Sequence, residues 1–206
     1  MSKVLVIYGC GGHGRSAAAL AERAGYESIV FVDDAAALDE RIMGFPVLRS
    51  AGNDLLDADC LVAFGDNPMR LRRSRELAAA GRRLVSVAGT SAIVSRHAAV
   101  EAGCFIGELC YVGPRARIGA ATIVNTGALV EHDCVIGSGC HVSVDVTIAG
   151  SCHLADEVTI FSGATLRNRV SIGAGILVGA GAVVCEDLTT PGTYVGVPAR
   201  LIKQRA

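Results

Sequence analysis

The 206-residue sequence predicts two parts in tandem: a short parallel-sheet α/β domain over residues 1–87, then a parallel β-solenoid over 88–206. Three observations predict this. From Val94 to Thr189 the chain reads as sixteen uninterrupted hexads, and the first position of every hexad is Val, Ile or Leu. The fifth position carries a smaller set, mostly Ala, Cys, Val or Thr, from Ala98 and Cys104 to Ala182. Ahead of the hexads, apolar runs alternate with helix-like stretches, the order that builds a parallel sheet with right-handed crossovers.

In the first part, Lys3–Tyr8 reads as a buried parallel strand leading into Gly9-Cys10-Gly11-Gly12-His13-Gly14. A helix is expected from Arg15 to Ala24, stopped by Gly25. Ser28–Val32 is a second strand, ending in Asp33-Asp34, and Gly44–Val47 a short strand or turn. Asp59–Phe64 is another strand, running into Gly65-Asp66-Asn67-Pro68. A helix follows from Met69 to Ala80, and Arg83–Val87 is the last strand before the solenoid.

Gly9-x-Gly11-x-x-Gly14 between strand and helix, with Asp33 about twenty residues on, matches a dinucleotide fingerprint in form. The glycines let a phosphate approach the backbone at the helix N-terminus, and an Asp can hold a ribose hydroxyl. About 87 residues make only half of a doubly wound dinucleotide domain, so this half-Rossmann-like unit suits a mononucleotide or a nucleotide-sugar better than NAD. A tight ligand-free turn is the bland alternative. Arg70, Arg72, Arg73 and Arg75 read equally well as a solvated helix face.

In the second part, a period of six excludes an amphipathic helix, whose apolar residues return every 3.6 positions. Hairpin strands would bring turn signals only every 8–12 residues. Repeats this short mark a solenoid, with one short strand and one turn per hexad. Three hexads close a triangular coil, so residues 18 apart stack roughly 4.8 Å apart along the axis. Ninety-six residues give a little over five coils. The aliphatic position fills the prism, and the fifth position stays small near a corner.

Composition agrees. The formal charge of −1 offers no electrostatic footprint for nucleic acid. There is no Trp and aromatics are 4%, which suits an interior too narrow for rings. No apolar run reaches membrane-spanning length, and the opening run is too short for a signal peptide. A cytoplasmic location is therefore expected. Five of the eight cysteines (Cys104, Cys110, Cys134, Cys140 and Cys152) fall on the fifth hexad position and read as small buried hydrophobes. Cys134 and Cys152 should stack, but a disulfide is not expected in a reducing compartment. No C-x-x-C occurs, and no metal is expected.

Ile118-Gly119-Ala120-Ala121-Thr122-Ile123 and Val178-Gly179-Ala180-Gly181-Ala182-Val183 resemble the aliphatic-Gly-x-x-small-x repeat of hexapeptide-repeat acyltransferases. That resemblance implies a left-handed parallel β-helix. With Gly9–Gly14, Phe31-Val32-Asp33-Asp34 and Gly65-Asp66-Asn67-x-x-Arg70 ahead of it, nearly the whole chain resembles acetyltransferases of nucleotide-activated amino sugars. These include UDP-4-amino-sugar and GDP-perosamine N-acetyltransferases, and the sialic acid O-acetyltransferases share the general pattern. The resemblance implies acetyl-CoA as co-substrate, a nucleotide-linked amino sugar as acceptor, and a homotrimer with active sites between subunits. It also implies that Gly12, His13, Asp33, Asp34 and Gly65 line the nucleotide-sugar pocket, with Asn67 and Arg70 carried over beside them.

The densest polar patch of the repeats runs from Val124 to Cys134 and holds Asn125, Glu131, His132 and Asp133. His132 takes the third position of its hexad, in a turn and pointing outward. An ordinary imidazole is mostly neutral near pH 7 and can accept a proton, and a carboxylate on one ring nitrogen leaves the other free as base. Gly150, 18 residues on, should occupy the same corner one coil away. Its bare backbone leaves space beside the imidazole and an N–H for a thioester oxygen. The family motif places the general base at His132 and its orienting acid at Asp133. It also places an acetyl-contacting N–H at Gly150, with His141 near the cofactor or acceptor. Cofactor contacts from the next subunit are expected around Ala180, and Gly196-Val197-Pro198-Ala199-Arg200 near the adenosine end of coenzyme A. The sequence departs from the repeat at Phe161, Asp145 and Glu157, where glycines are usual.

Other readings stay in view. Sugar O-acetylation uses the same base. A non-catalytic nucleotide-sugar-binding solenoid sits poorly with intact Asn125, His132, Asp133 and Gly150. A zinc hydratase needs closely spaced ligands, whereas His132, His141 and His153 are 9 and 12 residues apart. NAD-dependent redox chemistry needs a longer first domain.

Overall fold

The computed structural model of the chain describes residues 3–52 and 55–204. The ends of the two expected parts, residues 1–2 and 205–206, lie outside them.

The first part is a six-stranded sheet formed by β1 (Val4–Tyr8), β2 (Ser28–Val32), β3 (Arg41–Ile42), β4 (Phe45–Leu48), β5 (Asp59–Val62) and β6 (Arg83–Leu84). Its order is β3-β4-β2-β1-β5-β6, parallel throughout except for the β3–β4 hairpin at one edge. Strand alternation decides the layers. Leu5 and Ile7 face helix α1 (Gly12–Arg23), together with Phe31 and Leu61. Val6 and Tyr8 face the opposite side, with Leu77 of helix α2 (Asn67–Ala79).

Both helices begin earlier than the sequence predicts. Helix α1 starts inside the glycine motif, with Gly11 as its N-cap, so Gly12 and His13 are first-turn residues rather than loop. A Cβ at Gly14 would stand 2.1 Å from the Gly9 oxygen, so only glycine lets the helix sit this close to the strand end. Gly9 itself turns the chain at φ +99°. Helix α2 starts at Asn67 because the Asp66 carboxylate accepts the Met69 N–H at 2.8 Å and Pro68 fits the first turn.

The expected strand Arg83–Val87 splits in two. Arg83–Leu84 closes the sheet edge against β5, whereas Val87–Ala88 pairs with Phe105–Ile106 and is already a solenoid rung. The ladder thus begins one hexad before Val94. From there, two-residue rungs stack in parallel on three faces of six, six and five rungs. Val112, Val130, Ile148, Leu166 and Val184 pair down one face at 18-residue steps. The second face runs through Val87, Phe105, Ile123 and His141, and the third through Ala99, Arg117, Val135 and His153.

First-position aliphatics and fifth-position small residues form one continuous buried core. The five fifth-position cysteines are free and essentially fully buried. Their thiols donate to carbonyls 15 residues on, as in Cys104 to Gly119 and Cys140 to Ala155, both at 3.2 Å. Thr122 does the same to Gly137 at 2.8 Å. The position thus takes side chains small enough for the corner that either have no polar atom or carry a donor for that carbonyl. The fourth position of most hexads has positive φ, held by glycine at Gly127 and Gly139 but as readily by Arg115, Asp133, Asp145 (+56°) and Glu157 (+61°), so the expected departures at Asp145 and Glu157 do not stand apart from the other turns.

The sheet domain lies against the face that contains Phe105 and Ile123, which share a core with α1. Helix α2 packs on the adjoining corner, where a Cβ at Gly139 would meet Leu71 at 3.0 Å.

Candidate active site

His132 and Asp133 form the corner that follows rung Leu129–Val130. Asp133 holds φ +59°, and its N–H donates to the Pro114 carbonyl one coil below. This fixes the backbone from which both side chains project. The His132 Nδ1 lies 2.9 Å from Asp133 Oδ2, and Asp133 Oδ1 takes the Nε–H of Arg115 at 2.8 Å. The hydrogen bond to His132, then the Arg115 charge, holds the Asp133 carboxyl below the usual carboxylate range. It is thus an ionised acceptor on Nδ1, which leaves Nε2 for a proton.

Gly150 occupies the same corner one coil on. The Ser151 N–H donates to the His132 carbonyl at 2.9 Å. A Cβ built at Gly150 would stand only 2.5 Å from His132 Nε2. The imidazole edge therefore rests on bare backbone, as the 18-residue spacing predicts. The Gly150 N–H makes no hydrogen bond among the described residues.

A second group gathers on the far side of the prism, where the sheet domain docks. His13 stacks edge-on against Phe105 with ring centroids 4.7 Å apart. His141, two rungs on along that face, is half-buried, and its Nε2 is buried without a partner among the described residues. Burial first, then the Arg70 cation, pushes His13 down to about 3 and His141 down to about 4. Both rings are therefore neutral at ordinary pH.

Arg70 and Asn67 depart from the ligand role expected of them. The Arg70 guanidinium is 1% exposed. It donates to the carbonyls of Ala121 (2.8 Å), Phe64 (2.8 Å), Gly139 (2.9 Å) and Cys140 (3.0 Å), and to Asn67 Oδ1 (2.7 Å). No donor is left for a ligand. Asn67 Nδ2 in turn reaches Thr159 Oγ1 at 2.9 Å and the Glu157 carbonyl at 3.2 Å. The pair clamps α2 to the solenoid. Of the other helix arginines, Arg73 lies over the Tyr8 ring at 5.0 Å, and Arg72 and Arg73 pair with Glu76.

Asp33 and Asp34 lie at the carboxyl end of β2, on the rim of a cavity of about 750 Å³ between the sheet and α2. Arg49, Arg73, Tyr8 and Phe64 also line it. The Asp33 carboxylate accepts from the Cys10 N–H (3.3 Å), the Cys10 thiol (3.2 Å) and the Ala35 N–H (3.1 Å), and these bonds lower its pKa. Asp34 is exposed. Gly12, His13 and Gly65 do not line this cavity. Gly12 and Gly65 are exposed, and His13 faces the cleft toward the solenoid.

Asn125 and Ala180 share a further corner of the prism, at the end of the docked face, so neither meets His132 within one chain. The Asn125 Oδ1 accepts the Thr126 N–H at 2.9 Å. Sequence reasoning missed Arg115 and Phe105. Arg115 was open to the same 18-residue arithmetic that found Gly150, but nothing in the sequence marks Phe105 as the partner of His13. Among the described residues, no three His, Cys, Asp or Glu side chains gather into a group that could hold a metal ion.

Comparison with known proteins adds to this geometry. Residues 4–77 match the family model described as the PglD N-terminal domain. The acetyltransferase domain of PglB from Neisseria gonorrhoeae, solved with acetyl coenzyme A, is 31% identical with a TM-score of 0.90, over 98% of this chain and 100% of that one. PerB from Caulobacter crescentus, solved with CoA and GDP-perosamine, is 30% identical with a TM-score of 0.87, over 98% of each chain. A variant of perosamine N-acetyltransferase from the same organism, with the same two ligands, is 29% identical with a TM-score of 0.89, over 99% of each. With these matches over nearly its whole length, the chain belongs to the hexapeptide-repeat, left-handed β-helix family of sugar acetyltransferases.

Proposed function

We propose that the protein transfers the acetyl group of acetyl-CoA to the amine of a nucleotide-linked 4-amino sugar. His132 is the general base, Asp133 the acid that orients it, and Gly150 the backbone donor to the thioester oxygen. The observation that carries this reading is the imidazole resting on bare backbone, with its other nitrogen on an ionised carboxylate. The co-crystallised CoA and GDP-perosamine of the relatives support the substrate class.

The amine nitrogen attacks the thioester carbon while Nε2 of His132 takes the amine proton. An N–H at Gly150 stabilises the tetrahedral oxygen. The C–S bond breaks and coenzyme A leaves as thiolate. An ordinary thiol ionises near about pH 8.5, which makes early protonation of this leaving group unnecessary. The thiolate or solvent then takes the proton from the imidazolium. His141, with its unpartnered Nε2, supports cofactor or acceptor placement.

Residues 1–87 would hold the nucleotide, with Asp33 and Asp34 at the cavity beside α2, and residues 88–206 would carry the chemistry. The sheet domain covers one face of the prism, whereas His132 lies on the opposite corner. A sugar held by one subunit thus reaches the base of another, which favours a homotrimer with shared sites and with Ala180 and Asn125 on the facing corner. No described helix is long and apolar enough to cross a membrane, in keeping with work in the cytoplasm on precursors of surface glycans.

Acetyl-CoA consumption with UDP- and GDP-linked 4-amino sugars, and with sialic acid as hydroxyl acceptor, tests the proposal. Turnover confined to a nucleotide-linked amine is expected. Turnover only with the hydroxyl acceptor, or with none of them, contradicts it.

A further inference from the structure

We infer that Arg115 is a positioning residue for the His132–Asp133 pair, fixing through the carboxylate which nitrogen of the imidazole faces the substrate. The inference rests on the reading of His132 as base. Arg115 lies one coil before Asp133 on the same corner, and both residues hold the left-handed turn conformation, at φ +63° and +59°. Their backbones are tied into the ladder. The Arg115 N–H donates to the His97 carbonyl and the Asp133 N–H to the Pro114 carbonyl, both at 3.1 Å. The two side chains thus start from stacked, fixed positions. Nε, the guanidinium nitrogen nearest the backbone, meets Asp133 Oδ1 at 2.8 Å, while Oδ2 lies 2.9 Å from His132 Nδ1. One carboxylate oxygen is therefore assigned to each partner, and the carboxylate cannot rotate without losing one of them.

Of the charged groups around the pair, Glu131 shares its turn, His97 and Arg115 stand in the coils before, Arg169 lies two coils on, and Glu101, Arg117 and Asp156 line the hollow beside Arg115 and Asp133. Of these, Arg115 is the one that pairs with Asp133 among the described residues. As a stabilising contact the pair is weak, because the Arg115 side chain is 81% exposed. Its consequence lies in the geometry and charge at the base. The Arg115 charge, after the hydrogen bond to His132, helps hold the Asp133 carboxyl below the usual carboxylate range and so keeps it an ionised acceptor on Nδ1.

The test is the pH profile of kcat/KM for Arg115→Gln and Arg115→Lys in the full chain. Circular dichroism and thermal melting serve to verify folding. Removing the cation should raise the pH midpoint of the acid limb, because Asp133 then takes up a proton more readily. It should lower the plateau by about three- to tenfold, a part of the ~10²-fold that an ångström of misplacement costs. Arg115→Lys should restore the midpoint but not the plateau, since a point charge on a flexible stem lacks the planar fork. A merely structural Arg115 would move the melting temperature and leave the midpoint in place. Wild-type midpoint and plateau in Arg115→Gln overturn the inference. His132→Ala in the same assay separates the two claims: if it abolishes turnover while Arg115→Gln is silent, only Arg115 loses its role, and if it leaves turnover intact, the reading of the base falls.

Discussion

Replacing Gly150 by Ala adds one methyl group at the corner that carries the imidazole of His132. The new carbon would stand 2.5 Å from Nε2, 2.6 Å from Cε1 and 3.1 Å from Cδ2. Ordinary contact begins at 3.4 Å, so the ring edge must retreat by roughly 0.9 Å. The backbone can accept the change, because Gly150 is not among the residues with positive φ. The ring can also swing aside, since the His132 side chain is 53% exposed. The protein should therefore fold and melt nearly as wild type, while the base stands about an ångström from its working position. Such a displacement costs on the order of 10²-fold in rate, or about 2.7 kcal/mol of transition-state stabilisation. Ala keeps the backbone N–H, so the loss reports the imidazole and not the donor. The assay is thiol release from acetyl-CoA at saturating nucleotide amino sugar, with kcat and KM measured separately. A fall in kcat of this size with a near-unchanged acceptor KM is expected. A folded Gly150→Ala enzyme with wild-type kcat would refute the reasoning.

Other consequences follow from the clamp, the buried histidines and the turns. Arg70→Ala removes the donor to three solenoid carbonyls and to Asn67, leaving the buried Ala121 and Gly139 oxygens unpaired while the Cys140 oxygen keeps the Ile123 N–H. Urea denaturation should show a loss of roughly 3–5 kcal/mol, and a loss under about 1 kcal/mol, the size of a single ordinary hydrogen bond, would contradict the clamp. His13 and His141 stay neutral in the folded chain down to about 3 and about 4, whereas the unfolded chain protonates near 6.5. The unfolded state thus takes up protons first on acidification. Stability present above pH 6.5 is lost as pH falls toward 4, by about 1.4 kcal/mol per pH unit for each ring. His141→Gln should make that acid slope shallower, and an unchanged slope would show that His141 is not held neutral. Glu157→Gly relieves a left-handed turn residue at φ +61° and should stabilise by about 0.5–1 kcal/mol in thermal melts. Destabilisation would mean that the Glu157 side chain makes an unrecognised contact.

Much of the solenoid is legible in sequence because each rung repeats the same demand at the same spacing. Val130, Ile148 and Leu166 face one another across fixed 18-residue steps, and the same arithmetic places His132 beside Gly150. The first rung escapes it because Ala88 stands where an aliphatic belongs. The start of α1 was hidden for a different reason. Gly12 and Gly14 have low helix propensity, yet the close approach of helix and strand requires glycine at 14. The clamp was not legible at all. Arg70 donates to backbone carbonyls 51 to 70 residues away, and carbonyls carry no sequence signal. Helix arginines at 70, 72, 73 and 75 look alike in sequence, but only Arg70 turns to the solenoid.

The most direct test is the rate of acetyl transfer from acetyl-CoA to a nucleotide-linked 4-amino sugar by His132→Ala, compared with the wild-type enzyme. A folded variant whose kcat falls on the order of 10²–10⁴-fold, the range of general-base catalysis, is the result expected. A folded variant that transfers acetyl at the wild-type rate would mean that the proton leaves by another route and that the corner of His132, Asp133 and Gly150 is not the seat of the chemistry.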